Sequence, residues 1–233
     1  MQSNSMSKTQ IPINDEVAQF SQTIEHFSQV YYHTPIANGD PVWKNTYWFG
    51  IPALKCPLDL WLYQEIINQQ KPDFIIECGV AFGGTTAFLA DMCKLAGKGE
   101  VIGIDINILE QTRLSLSKYN NIRLIQGSSV SSDIVQQVSQ LVNDKNALVI
   151  LDSDHAKDHV LQEILTYCKF VPQGGYLIVE DTNLNGHPVF PEFGPGPMEA
   201  VEEFLKENSQ FYIDKDCHKF ITTFNPNGYL KRL

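Results

Sequence analysis

From Asp73 onward the chain alternates short, β-branched apolar runs with amphipathic helical stretches, and this alternation limits the available folds more than any other feature. The spacing predicts strands at 73–78, 100–105, 122–126, 147–152 and 175–180. Helices are expected between them at 84–96, 108–118, 132–142 and 156–168, with another at 197–207. Strands joined through helices pair in parallel and are covered on both faces, so the expected fold class is α/β, a doubly wound, Rossmann-like sheet. Two extended stretches near 210–214 and 218–224 have no helix between them and are expected to close the sheet as an antiparallel hairpin.

Upstream, Val17, Phe20, Ile24, Phe27 and Val30 recur at helical spacing between Glu16 and Tyr32, and a second helix is expected from Pro57 to Gln70. The aromatic stretch Trp43, Tyr47, Trp48 and Phe49 reads as packing or a subunit contact rather than a platform for bases, and a homo-oligomer is the working expectation. The division expected is a helical and aromatic extension over 1–60 and the main domain over 61–233. Residues 1–14 are polar and expected to be loose, and Met6 offers a second start that leaves residues 1–5 open as non-native.

Composition narrows the partners. A chain of 233 residues, 43% hydrophobic, can bury one α/β core with a modest extension. A formal charge of −10 argues against a broad nucleic-acid footprint, which leaves a small molecule as the expected substrate. The five cysteines are scattered without a CxxC pair, indicating neither a disulfide framework nor a zinc site and suiting a reducing cytoplasm. No apolar run approaches the roughly 18 residues of a spanning helix, and the polar start lacks a signal-peptide core, so no membrane partner is expected.

Chemistry gathers where the strands end. Ile75 to Thr86 reads as a strand, a glycine turn and a helix start, and Asp105 closes the next strand. An acid there commonly grips ribose hydroxyls, while the glycine turn lets a ligand approach the backbone. The spacing is Gly79-x-x-x-Gly83, not the GxGxxG of dinucleotide folds. Asp154, in LVILDSDHAKDHV, and the pair Glu180-Asp181, in GGYLIVEDTN, also follow buried strands. Oxygen-only ligands at such an edge suit a hard divalent cation, Mg²⁺ above all. Neighbouring strand residues face opposite ways, so Glu180 and Asp181 can share an ion only if the backbone turns there. Taken singly, each acid reads as an ordinary strand-end residue. Asp152 is open as a ligand or, the reading favoured here, a structural acid. His155 and His159, expected i, i+4 on one helix, can act as base, position a substrate or support the metal shell, with a packed or helix-N-terminal structural role as the alternative. His187 lies in a segment rich in Pro and Gly, 185–197, of the kind that forms lids.

Glu77-x-Gly79-x-x-x-Gly83 is similar to the E/DxGxxxG motif of S-adenosylmethionine-dependent methyltransferases. The wider set is Trp48-Phe49-Gly50-Ile51-Pro52, Lys55-Cys56-Pro57-Leu58-Asp59, Leu151 to His155, Val179 to Thr182, Phe193 to Pro197 and Thr223 to Arg232. With it, the chain from about residue 45 to the end resembles the cephalosporin hydroxylase/rhamnosyl O-methyltransferase family. That resemblance implies a class I methyltransferase sheet, S-adenosylmethionine and Mg²⁺ as cofactors, and a small-molecule or sugar hydroxyl as acceptor. It places metal ligands on Asp154, Glu180 and Asp181. It sets Gly79 and Gly83 beside the methionine part of the cofactor, Thr86 near its amino or carboxylate end, Asp105 on the ribose and Ser128 and Ser129 on the adenine side, with Glu77 orienting the turn. Thr86 as a helix-surface residue is the alternative. A looser resemblance to catechol O-methyltransferase implies Lys157 as the base, three residues after Asp154, with His155, His159 and His187 as further candidates. The chain departs from that enzyme in having Glu-Asp where it has Asp-Asn. A dinucleotide-dependent oxidoreductase and a non-catalytic binding protein are the rival classes, and neither accounts for the acids at the strand ends.

Overall fold

The computed structural model describes residues 15–233, so the expectations for residues 1–14 lie outside the described span. Helix α1 (Asp15–His33) leads to a two-stranded ribbon of β1 (Tyr47–Trp48) and β2 (Ile51–Pro52), then to α2 (Pro57–Gln70). The main fold runs β3 (Phe74–Cys78), α3 (Gly84–Leu95), β4 (Glu100–Asp105), α4 (Glu110–Leu116), β5 (Ile122–Gln126) and α5 (Ser132–Val142). It continues through β6 (Ala147–Leu151), α6 (Lys157–Tyr167), β7 (Tyr176–Val179), α7 (Pro197–Glu207), β8 (Phe211–Ile213) and β9 (Tyr229–Arg232). The seven-stranded sheet has the order β5-β4-β3-β6-β7-β9-β8; β3 to β7 are parallel, and β9 is antiparallel to both of its neighbours.

Burial on both faces explains why the strands read as unbroken apolar runs. Successive residues alternate between two cores: Ile76, Ile102 and Val149 pack toward α5, α6 and α7, while Ile75, Val101 and Leu148 pack toward α2 and α3. The chain builds outward from β3 to β5 and then returns to lay β6 on the other side of β3. Strand order therefore reverses between β3 and β6, and the loops leaving their carboxyl ends part to leave a crevice.

The doubly wound sheet with its antiparallel close is as expected, but the second strand of the hairpin is not at 218–224. That segment holds a 3₁₀ turn and a loop, and the strand lies at Tyr229–Arg232. The reason is Asp59, buried in the first turn of α2, which takes hydrogen bonds from the Thr223 hydroxyl, the Phe224 amide at 2.9 Å and the Tyr229 hydroxyl at 2.8 Å. The Phe224 amide, given to this carboxylate, is not free to join a ladder. Burial pushes the Asp59 carboxyl pKa up, with these three donors working against it.

Removing Asp59 strands two buried donors, the Phe224 amide and the Tyr229 hydroxyl, each costing about 1–3 kcal/mol when unsatisfied, and the part-buried Thr223 hydroxyl. Asp59→Ala is expected to lose about 3 kcal/mol or more of unfolding free energy in urea. A loss under about 1 kcal/mol would show that the carboxyl-terminal segment is held by other contacts.

Candidate active site

A cavity of about 520 Å³ opens at the carboxyl edge of β3, β4, β5 and β6, within the range of small-ligand pockets. Gly79, Asp105, Ser128, Ser129, Asp152 and Asp154 are among the residues lining it. Gly79 has φ +96°, and a Cβ there would fall 1.9 Å from the Asp152 carbonyl oxygen, so a side chain would force β3 and β6 apart. Gly83 caps α3 in the left-handed region. Asp105 ties this turn to β4: its Oδ2 accepts from the amides of Val80 and Ala81, both at 2.9 Å, and its Oδ1 from Asn107.

Under the turn, Glu77 is buried and its Oε2 accepts from the Thr86 hydroxyl at 2.5 Å. Burial pushes the Glu77 carboxyl up to about 8, and its Oε1 has no partner among the described residues. Thr86 is fully buried, so it is not the surface threonine that formed the alternative reading. Ser129 and Ser153 both donate to Glu163 Oε1, joining the loops after β5 and β6. His159 Nε2 lies 3.4 Å from that oxygen and 3.3 Å from Ser129 Oγ. The bond to Glu163 raises the His159 pKa while burial opposes it.

Beside this cleft the strand ends of β6 and β7 meet a buried lysine. Lys55 is ion-paired with both Asp152 and Glu180, the first residues after their strands. Burial works against the ammonium, but Asp152, Glu180 and Asp181 outweigh it and hold its pKa above the ordinary lysine value. Glu180 is buried, and desolvation and then Asp152 push its carboxyl well up; its Oε1 has no hydrogen-bond partner among the described residues. Asp181 turns the backbone out of the strand with φ +54°, and its amide donates to Asn225 Oδ1 at 3.0 Å. His155 Nε2 stands 3.3 Å from Asp181 Oδ2. Asp152, His155 and Asp181 each bring a ligand atom to within 4.8 Å of the others.

The remaining sequence-predicted residues sit elsewhere. Asp154 is exposed, and its Oδ1 accepts from the Ala156 amide at 2.8 Å in the turn before α6, so the compact group forms around Asp152 instead. Helix α6 begins at Lys157, so neither the Asp154–Lys157 nor the His155–His159 pair shares a helix. Lys157 Nζ lies 2.5 Å from Glu203 Oε2 on α7, a bond that raises its pKa, opposite to what a base requires. His187 Nε2 lies 2.9 Å from Glu199 Oε1 on α7. Glu199 also accepts from Asn185 Nδ2 and the Gly196 amide, clamping the loop between Asn185 and Gly196.

An aromatic wall stands near the acids. Tyr32 of α1 stacks on Trp43 at 5.2 Å between ring centroids and meets Phe190 edge-on and Phe224 at a tilt, each also at 5.2 Å. Burial raises the Tyr32 hydroxyl pKa, and Asp181 and Asp152 add to the rise.

A profile of the family described as Rhamnosyl O-methyltransferase/CmcI matches residues 40–233. The chain belongs to this family. It is 37% identical over 213 residues to a Rhamnosyl O-methyltransferase of Mycobacterium leprae, covering 89% of this chain and 90% of the relative. It is 35% identical to one of Mycobacterium tuberculosis, covering 89% and 84%. Among solved structures, a CmcI form named for Mg and SAM aligns with TM-score 0.65 at 21% identity, over 97% of this chain and 88% of that one. An apo form of CmcI gives 0.63 at 21% identity, over 97% and 87%. These structures share the fold, as the resemblance in the sequence implied.

The residues present fit both groups that the family suggests. For a hard cation, Asp152, Glu180 and Asp181 supply oxygens, two of these acids already gripping an ammonium and one keeping an unpartnered buried oxygen. For a nucleoside, the cleft has the volume, and Gly79 lets a ligand lie against the backbone. Sequence reasoning gave no role to Lys55, Asn225, Tyr32 or Glu163. For Asp152 the signal was present: it is the first residue after the apolar run of β6.

Burial would raise the Glu199 carboxyl pKa, but the bonds from His187, Gly196 and Asn185 hold it down at about 2. A depressed carboxyl pKa contributes stability that is complete above the ordinary value near 4.5 and is lost as pH falls through about 2. Glu199→Gln is therefore expected to be less stable by about 1–2 kcal/mol near neutrality, allowing for partial exposure. That gap should close between about pH 4.5 and 2 in thermal or urea unfolding. A gap that is constant with pH would show that the Glu199 charge does not hold the loop.

Proposed function

We propose that this protein is a Mg²⁺-dependent, S-adenosylmethionine-dependent O-methyltransferase acting on a hydroxyl of a sugar or other small molecule. The observation that carries this reading is the gathering of Asp152, Glu180 and Asp181 at the ends of β6 and β7, with Asp152 also lining the glycine-floored cleft. The family membership supports it, as do the relatives named rhamnosyl O-methyltransferase and the Mg and SAM named for the CmcI form.

Asp152, Glu180 and Asp181 are assigned as the residues that would hold the metal, with His155 beside them. Ionising a phenol of pKa near 10 costs about 4 kcal/mol at pH 7, whereas an alcohol near water's 15.7 costs about 12. Mg²⁺ bound there supplies Lewis acidity that lowers this cost, and the cofactor's sulfonium supplies the methyl group. His155 Nε2, next to Asp181, accepts the hydroxyl proton, and the products are a methyl ether and S-adenosylhomocysteine. Lys157 is bound to Glu203 and is not assigned this role. Of the residues lining the cleft, Asp105 would hold the ribose of a bound cofactor, Ser128 and Ser129 its adenine side, and Gly79 its methionine part. Phe190, which is exposed, and the half-buried Trp43 offer apolar surface for an acceptor ring, backed by the buried rings of Tyr32 and Phe224.

Exposed Phe20, Phe27 and Val30 on α1, with Phe49 79% exposed, support the homo-oligomer read from the sequence. Free cysteines support a reducing, cytoplasmic setting. Among the described residues, no helix is long and apolar enough to cross a membrane.

Calorimetry of the metal-stripped protein with S-adenosylhomocysteine, NAD and Mg²⁺ tests the assignment. The nucleoside is expected to bind and NAD not. Asp152→Ala should lose the Mg²⁺ heat and Asp154→Ala keep it. His155→Ala should lower kcat by about 10²–10⁴ on an accepted substrate while leaving nucleoside binding in place. Binding of NAD alone would return the fold to oxidoreductase chemistry, and loss of the Mg²⁺ heat only in Asp154→Ala would move the ion to that residue.

A further inference from the structure

Lys55 is 4% exposed and touches carboxylates at the ends of two neighbouring strands, a larger commitment than one structural ion pair needs. Its position is fixed by the backbone: its amide donates to Thr46 Oγ1 at 2.9 Å, Leu54 before it is left-handed at φ +54°, and Cys56 after it caps α2. The ammonium has three donors and no acceptor, so it can act on a metal only through charge and through the carboxylates it orders. Counted formally, with each carboxylate in the ionised form a bound cation would favour, three carboxylates against one ammonium sum to −2, the charge that one divalent ion neutralises.

We propose that Lys55 is a built-in counter-cation for the metal site, matching the carboxylate group to a single divalent ion and holding Asp152 and Glu180 in place before that ion arrives. This rests on the assignment of Asp152, Glu180 and Asp181 to the metal made above. Two consequences follow from Coulomb's law. A site of formal charge −3 would bind any cation more tightly, and its gain would grow with the charge of the ion. A metal-free site without the ammonium would also leave buried acids facing one another unpaired.

The test titrates Mg²⁺ and La³⁺ into metal-stripped wild type, Lys55→Met and Lys55→Gln, by calorimetry and thermal unfolding. Lys55→Met should melt lower than wild type without metal and recover more of its Tm on adding Mg²⁺. Its affinity should rise about tenfold for Mg²⁺ and about thirtyfold for La³⁺, because three charges gain half as much again as two on a logarithmic scale. Lys55→Gln removes the same charge while keeping a donor for the two acids, so its La³⁺-to-Mg²⁺ preference should shift as in Lys55→Met; it also serves if Lys55→Met does not fold. A wild-type preference in either variant would overturn the proposal. Wild type that binds neither ion would instead remove the metal assignment itself.

Discussion

The buried ammonium of Lys55, held between the ends of β6 and β7, is the contact on which the arrangement of the site depends. Breaking such a pair by removing one partner costs about 3–5 kcal/mol, because the charges left behind remain buried. The chain reaches this point from outside the main fold. The Ala53 amide donates to the Thr46 carbonyl, Thr85 at the start of α3 donates to the Ala53 carbonyl, and Gly84 leaves so little room that a Cβ would lie 2.3 Å from the Pro52 carbonyl oxygen. The segment before α2 thus lies across the amino end of α3 and delivers Lys55 to the sheet edge. In chemical terms the amino-terminal extension is part of the site.

A second set of contacts fixes Asp181 from below. Asn225 accepts from the Asp181 amide with its oxygen and donates to the hydroxyls of Tyr63 and Tyr229 with its nitrogen. Tyr229 in turn donates to Asp59. Burial pushes both tyrosine hydroxyls well above their ordinary pKa, so they stay neutral and keep their protons to donate. Glycine follows close behind, since a Cβ at Gly228 would lie 2.1 Å from the Val179 carbonyl oxygen. The turn that lets Asp181 leave the strand is therefore set by α2 and the final strand together. This answers the difficulty that adjacent strand residues face opposite ways.

The sheet was legible because its strands are buried on both faces and its helices are spaced evenly; neither feature needs tertiary information. The strand at 218–224 was misread for the complementary reason. Phe220 to Phe224 has the composition of a strand, but the Thr223 hydroxyl and the Phe224 amide are claimed by Asp59, 164 and 165 residues away in sequence. The glycine turn and Asp105 could be read locally because their bonds span about one βαβ step, from Val80 and Ala81 to Asp105. Lys55 could not, since its partners lie 97 and 125 positions away. Periodicity places elements, and it carries no signal for a single charged side chain buried between two of them.

The relation between Asp154 and His155 shows how a small shift in a strand end redistributes roles. Reading the helix as starting near Asp154 paired that residue with Lys157 by helical offset. With β6 ending at Leu151 and α6 opening at Lys157, the intervening residues form a turn instead. Asp152 leaves the sheet first and enters the acidic group, and the same offset of three counted from it ends on His155. Asp154 closes the turn through the Ala156 amide and so restrains the residue between them. Lys157, already on the helix, is carried to Glu203, where its charged form is favoured. A base must give up its charge to work, which the bond to Glu203 opposes at Lys157, whereas His155 is left with its Nε2 3.3 Å from Asp181 Oδ2.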